Sequence, residues 1–523
     1  MTNTLRSVTV AAWTTGALLL TSTAWAGQAQ QASTGGPQAV QVERYVVGRA
    51  KPPEVAGATL RNMSLEDAYA VALENNLDLK VARMNPQGVD YQLQGARAAF
   101  DPRLTGTYNY NNATTTSNFS IDGVSRVSSL SQSGNTSFAQ ALPWYGGDMS
   151  ISFNNNRSSS NQVTNRFNPS FSTSVNFNYS QPLLAGLRID ATRNQLRTLQ
   201  VQREIVDLQL ESLTENTRAS VRQAYWALKQ AIEQIEIQRL ALELASRQFE
   251  DNKIRVEIGT MAPIETTTSE TQVVNAEQAV LNAEIAWQTA ELNLKRLLAS
   301  GPDDPIYSTT INPVDLPTFE RPTVDAAGAA IAATAALDGR LDLVQARRSI
   351  DMSRLNLEVT RDLLRPSLEA TTSYRLAGTA GAYNDALGLI SGVENPTWTF
   401  GFTFNYPLGM KAARASYARA QLQLDQTLVS LKSQELTVAS EVYNAGLAVT
   451  NTFKQLEGAI KAREVSERNA DAEQVRFDVG MSNNYNVALA QNTLTNARLT
   501  ELSRIIAYLN AVAEFERVQK VGR

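Results

Sequence analysis

Two periodicities alternate along this chain. From about 188 to 257, apolar residues fall seven apart at Val221, Leu228, Ile235, Leu242 and Phe249; from about 411 to 478, Val442, Val449 and Leu456 repeat the spacing, with Phe453 and Ile460 four residues further on. A sustained 3.5-residue repeat predicts long helices in coiled-coil packing, and about 70 residues at ~1.5 Å each make a rod on the order of 100 Å. Shorter helices are predicted at about 64–97 and 262–299, and again at 324–363 and 483–520. Laid end to end, two of these match one long helix. Elsewhere the period is two. Trp398, Phe400, Phe402, Phe404 and Tyr406 alternate with Thr399, Gly401, Thr403 and Asn405, and Phe171, Val175, Phe177 and Tyr179 alternate with Ser172, Ser174, Asn176 and Asn178. Leu104, Tyr108 and Tyr110 mark a third strand, and Met149, Ile151 and Phe153 a fourth. Aromatic residues alternating with small polar ones predict strands that meet lipid on one face and water on the other.

The order of elements occurs twice. "LEDAYAVALENNLDL" from Leu65 corresponds to "VDAAGAAIAATAALDGRLDL" from Val324, Pro102 to Pro366, Pro182 to Pro407, and Gly259 to Gly480. The chain therefore divides into a first repeat, 63–299, with its β region at 103–181, and a second, 324–523, with its β region at 367–406. Between them, residues 300–323 carry Pro302, Pro305, Pro313, Pro317 and Pro322, which forbid a continuous helix. Residues 1–26 read as a signal peptide: Arg6, an apolar stretch from Val8 to Leu20, then the small-x-small site Ala24, Trp25, Ala26. Residues 27–62, rich in Gln, Gly, Ala and Pro at their start, read as a flexible segment.

Composition removes most chemistry. Among 523 residues there is neither Cys nor His, which excludes disulfides, thiolate metal sites and thiol nucleophiles, and removes the commonest general base. Ser, Asp and Glu are abundant, but without such partners they read as solvated faces, so neither an enzyme nor a cofactor site is expected. A net charge of -4 with no Lys/Arg cluster speaks against nucleic acid. Mean hydropathy is -0.25, and after the N-terminus no run of ~18 apolar residues offers a spanning helix. The two rival architectures are a transmembrane β-barrel on long helices and a periplasmic coiled-coil adaptor or other interaction protein that never enters the membrane; the aromatic strands and the export signal favour the barrel.

At this point the chain resembles the TolC family of outer-membrane efflux channels over essentially its whole mature length. The resemblance rests on "SLEDAYAVALENN", the strand-to-helix junction "QPLLAG", and the paired turns "VEIG" and "FDVG", which stand in the same order as the two repeats. It implies a trimeric outer-membrane β-barrel continued by a long periplasmic α-helical coiled-coil barrel, with four strands per copy and twelve in all. Three copies make the smallest symmetric closure, because a few strands cannot close alone and an open sheet edge in lipid leaves N–H and C=O groups unpaired. The implied partners are a periplasmic adaptor (membrane fusion) protein, an inner-membrane pump and outer-membrane lipid. The implied function is a passive exit channel for a tripartite efflux or type I secretion system. No GxxxxGK[ST] motif is present, so energy has to come from the pump.

This sequence departs from that pattern in its first β region. Pro102 and Pro182 lie 80 residues apart, whereas Pro366 and Pro407 lie 41 apart. The surplus includes "SFAQALPWYGGDMSISF", a strand, a tight turn at Trp144 to Gly147, and another strand, with outer loops expected at 116–134 and 157–169. Either this hairpin joins the barrel, giving eighteen strands per trimer, or it folds over the outside or dips into the mouth. The turns at Gly259 and Gly480 correspond, by the resemblance, to the periplasmic tips, with Gly259, Thr260, Glu265, Gly480, Met481 and Ser482 as the adaptor surface. Carboxylates are common in the family just beyond the second glycine, whereas here Asn486 and Leu489 stand in their place. Asn484, Tyr485, Asn486 and Leu489 are the candidates for the entrance constriction, with Glu265 as the nearby acid. Phe171, Phe177, Tyr179, Phe400, Phe402 and Phe404 are the candidates for the lipid-facing wall.

Overall fold

The computed structural model describes residues 47–54, 56–116, 123–317, 319, 321 and 326–520. The expected signal peptide lies outside them, as do residues 27–46 of the segment that follows it. In chain order the helices are α1 (Leu65–Asn75), α2 (Leu77–Arg97), α3 (Ala191–Glu257), α4 (Ile264–Leu298), α5 (Ala326–Gly339), α6 (Leu341–Asp362), α7 (Tyr383–Ser391), α8 (Lys411–Asp478) and α9 (Asn484–Gln519). The strands are β1 (Thr59–Met63), β2 (Arg103–Thr116), β3 (Arg126–Ala141), β4 (Asp148–Ser160), β5 (Ser170–Pro182), β6 (Thr309–Pro313), β7 (Ser367–Ala380) and β8 (Pro396–Asn405).

The heptad residues form the core. Val221, Leu228 and Ile235 of α3 are fully buried with Tyr225 and Ile232, against Trp287, Leu294 and Leu298 of α4 and Ala68 and Ala72 of α1. In the second repeat Val442, Val449 and Leu456 of α8 pack with Ile505, Tyr508 and Phe515 of α9 and Ala332 and Ala336 of α5. Each such Leu or Ile contributes about 1.5–3 kcal/mol by leaving water. Along its 67 residues α3 is flanked by α1 and α2 over one half and α4 over the other; α8, with 68, is flanked likewise by α5 and α6, then α9. Contacts of α3 with α6 and α9 join the repeats.

Two helices expected to be continuous are broken. At Asn76 the backbone turns extended (ψ 123°) and the side chain accepts from the Leu79 amide at 3.1 Å, ending α1 and capping α2. Arg340, extended (ψ 133°) after Gly339, separates α5 from α6 and reaches Glu441 on α8 at 2.6 Å. The segment 27–62 also differs from expectation where it is described, and the proline-rich stretch, which breaks the helix as expected, supplies a strand. Thr59–Met63 pairs in parallel with Thr309–Pro313. A buried charge pair on α3 holds this waist: Lys229 Nζ donates to the carbonyls of Gly48 (2.8 Å) and Pro313 (3.2 Å), while Glu233 accepts from the amides of Gly48 and Ala50. Burial pushes the Lys229 ammonium below its usual pKa, and Glu233, 3.7 Å away, opposes that shift.

The remaining strands make one antiparallel sheet in the order β2-β3-β4-β5-β7-β8. Its register puts Leu104, Phe138, Ile151, Phe177, Tyr374 and Trp398 on one face, with Thr105, Ser137, Ser152, Asn176, Ser373 and Thr399 on the other. The expected turn connects β3 to β4: Tyr145 and Gly146 have φ of +62° and +68°, and a Cβ on Gly146 would lie 2.8 Å from the Gly186 carbonyl. That contact puts the turn at the helical end of the sheet, beside the start of α3. The connections at the opposite end are longer, 161–169 and the segment holding α7. The outer loops are shorter than expected, because β3 begins at Arg126 and β4 runs to Ser160.

The waist pair is testable. Glu233→Gln removes the counter-charge from a buried ammonium and is expected to cost on the order of 3–5 kcal/mol. Thermal unfolding in detergent should show the loss, whereas an unchanged midpoint would mean that Lys229 is not held as a charge.

Candidate functional site

The helical end opposite the sheet is closed by two turns of the same construction. After α3, the amides of Gly259 and Thr260 donate to the carbonyls of Val256 (3.0 Å) and Arg255 (2.9 Å); after α8, those of Gly480 and Met481 donate to Phe477 (3.0 Å) and Arg476 (2.8 Å). Both glycines have φ +77°. This pair of bonds ends a helix through a left-handed residue. Nothing lies within 4 Å of a Cβ built on either glycine, so the requirement is conformational, not spatial.

The turns are tied to each other. Arg255 reaches Asp478 at 3.7 Å and lies over the Phe477 ring, 4.7 Å from its centroid. Ser482 donates to Glu473, and Asn483 caps α9 by accepting from the Asn486 amide at 2.9 Å. Deeper in, Gln248 donates to Asn252 (3.1 Å), Asn252 to Ser269 (2.7 Å) and Asn484 to Ser269 (3.2 Å), linking α3, α4 and α9 through a buried polar chain. This corrects one expectation: Asn484, 1% exposed, is held inside the helix interface and does not line an entrance. Its direction is set by Ser269, 215 positions away. Tyr485, Asn486 and Leu489 are exposed together on the first turns of α9, while Glu265 is half-buried in the first turn of α4 and Thr260 bonds back to the Arg255 carbonyl. Ile254, Ile258, Ile264, Val475, Val479 and Met481 are all more than half exposed at this end. Reading sequence for apolar spacing passed over Gln248, Asn252 and Ser269; the clue available was a polar i,i+4 pair close to the seam.

At the sheet, Phe400, Phe402 and Phe404 are 57–63% exposed and share their face with Tyr108 and Trp398, while Phe177 and Tyr179 are half-buried on that face. Phe171 is placed differently. It lies under α7, with Tyr383 edge-on at 6.3 Å and Arg157 5.9 Å from its ring, so it does not continue the bare row.

A profile of outer membrane efflux proteins matches residues 68–300 and 332–518. Among solved structures, the chain is similar to the CmeC outer membrane channel of Campylobacter jejuni, at 18% identity over 87% of this chain and 85% of that one, with a TM-score of 0.63. It is similar to the MtrE outer membrane channel of Neisseria gonorrhoeae at 17% identity, 92% and 96% coverage and a TM-score of 0.61. The outer membrane protein VceC of Vibrio cholerae aligns at 13% identity, 87% and 96% coverage and 0.63. At these identities the likeness is one of fold. No curated protein sequence matches significantly.

The turn geometry carries its own test. Gly480→Ala forces a side chain into the left-handed region at a cost of about 1–2 kcal/mol. Hydrogen exchange at the Met481 amide should accelerate roughly tenfold while exchange in the α8 seam stays unchanged; equal protection in both proteins would contradict the assigned cap.

Proposed function

The chain belongs to the outer membrane efflux protein family, and from that membership we propose that three copies form the outer-membrane exit duct of a tripartite efflux or type I secretion system. It is an outer-membrane protein that reaches into the periplasm. The observation that carries the proposal is a six-stranded sheet with an aromatic face and a polar one, unpaired at both edges among the described residues and mounted on helices of 67 and 68 residues. At ~1.5 Å per residue those helices extend about 100 Å from the membrane. A soluble periplasmic adaptor has no use for such a sheet. In lipid the edges β2 and β8 have to be paired, and neighbouring copies supply the missing partners. The helices then join edge to edge into a tunnel, with the two glycine turns at its periplasmic tip.

The exposed Ile254, Ile258, Ile264, Val475, Val479 and Met481 suit the apolar side of an adaptor hairpin. Tyr485, Asn486 and Leu489 face the entrance, and the Arg255–Asp478 pair holds the two turns of one copy together. An inner-membrane pump supplies the energy, and the duct conducts passively.

Three outcomes are expected. Light scattering in detergent should give a trimer; a monodisperse monomer with intact helix and strand circular dichroism contradicts the assembly. Phe402→Arg, on the lipid side, should cost about 2–4 kcal/mol at mid-membrane depth and block assembly, while Thr403→Arg, one residue away on the water side, should assemble; equal tolerance of both overturns the facing. Asp478→Asn removes a half-exposed ion pair worth at most about 1 kcal/mol, so planar-bilayer recordings should show more frequent opening with the same fully open conductance. An unchanged opening frequency means that the pair does not hold the tip.

A further inference from the structure

The surplus hairpin of the first repeat lies in the plane of the sheet. We infer that the β3–β4 hairpin widens the barrel, so that the assembled duct has eighteen strands and an outer-membrane opening suited to bulky polar solutes. The inference rests on the exit-duct reading and adds the size class of what leaves. In the second repeat β7 and β8 are joined directly by the connection that holds α7, whereas in the first β3 and β4 stand between β2 and β5. β3 pairs with β2 from Arg103↔Ala139 to Thr116↔Arg126, and β4 pairs with β5 from Asp148↔Ser180 to Ser158↔Ser170. A hairpin folded over the outside, or dipped into the mouth, would leave β2 and β5 without these ladders.

The faces agree as well. Phe138, Met149, Ile151 and Phe153 continue the apolar face between Leu104 of β2 and Phe177 and Tyr179 of β5. The polar face of the hairpin carries Ser129, Ser131, Ser133, Asn135 and Ser137 on β3, and Ser150, Ser152, Asn154, Asn156 and Ser158 on β4. Its only charge is Asp148, at the helical end. Ser131 donates to Asn156 at 2.9 Å, and Asn176 to Ser152 at 3.3 Å, knitting that face across three strands. The outcome is a water-facing wall of hydroxyls and amides beneath a second face that is apolar over the helical half of the hairpin and carries Gln132, Asn155 and Arg157 near Phe171 and Tyr383 at its outer end. With six strands both ends of the sheet return to the helical side, and β2 and β8 run in opposite directions, as closure by an antiparallel ladder requires.

The widening can be scaled against the helical ring. At any level one copy presents four columns: α3 and α8, with α2 and α6 near the sheet or α4 and α9 near the tip. Three copies make twelve columns, and at ~8–10 Å between axes their ring measures about 100–120 Å around. Strands ~4.8 Å apart, tilted by ~40°, each take up ~6.3 Å of circumference. Eighteen of them span about 110 Å and twelve about 75 Å. Barrel diameter grows roughly linearly with strand number, so the hairpin enlarges the opening about 1.5-fold in diameter and about 2.2-fold in area. The barrel then passes a solute too bulky for a twelve-stranded one.

The test compares the full chain with a variant lacking residues 126–160, which joins β2 to β5 through the outer loop. Electron microscopy of both in lipid nanodiscs should show the variant barrel at about two-thirds of the parent diameter; equal diameters overturn the inference. Thiols placed in the cysteine-free parent keep the test open if the variant fails to assemble. Ser133→Cys and Ser152→Cys should react with a water-soluble maleimide carried on a bulky hydrophilic polymer, and Phe138→Cys and Ile151→Cys only with a lipid-soluble one. The opposite pattern, or reaction of both pairs with the polymer reagent, places the hairpin outside the wall. A parent that forms no barrel contradicts the exit-duct reading itself, whereas a twelve-stranded barrel contradicts only the widening.

Discussion

In a hydrocarbon layer every backbone N–H and C=O needs a partner, and a sheet with two free edges cannot satisfy that alone. This constraint organises the molecule. The six strands pair with one another through five continuous ladders, which among the described residues leaves unpaired only the outer sides of β2 and β8, whose aromatic rings are also the barest of the sheet. Neither β2 nor β8 carries Lys or is covered by another described element, the usual protections of a soluble edge strand. In the proposed duct, assembly is thus a condition of the fold as much as of the function.

In the proposed duct the helical half answers a different demand, reach. Length comes from keeping one seam buried over 67 and 68 residues, with Ala at many neighbouring positions so that the flanking helices lie close. Toward the tip the seam changes character: Gln248, Asn252, Ser269 and Asn484 form a buried polar chain. Partners in fixed geometry specify one alignment of the helices, which a sliding apolar seam does not. Placed just inside the two glycine turns, the chain links the α3/α4 hairpin to α9, and Arg255 and Asp478 meet nearer the surface.

Much of this was legible in the residues. The limits of α8 at 411 and 478 are those expected for the second long helix, and the aromatic alternation marks β8, β5, β4 and β2 on the faces they adopt. What escaped reading depends on partners distant in sequence. The breaks at Asn76 and Arg340 are made by capping and by a reach to Glu441, neither of which disturbs an apolar pattern. The outer half of β3 carries Ser129, Ser131 and Ser133 against Leu130, Gln132 and Gly134, so polarity hardly differs between its faces and it passes for loop. Asn484 sits among residues suited to an entrance, but Ser269 turns it inward. Phe171 reads as one more lipid-facing ring until α7, in the connection after β7, folds over it.

The central claim is that the two free edges pair with each other between copies. Because β2 and β8 lie five strand spacings apart within one sheet, on the order of 24 Å, no disulfide can join them inside a copy. In this cysteine-free chain, single cysteines scanned along Thr105 to Asn111 and combined with cysteines along Thr397 to Thr403 should, on oxidation in membranes, yield species of two and three copies and none larger. The yield should peak at one register and fall at alternate positions. Cross-links that never exceed the single chain, or that run on past three copies without closing, contradict the account.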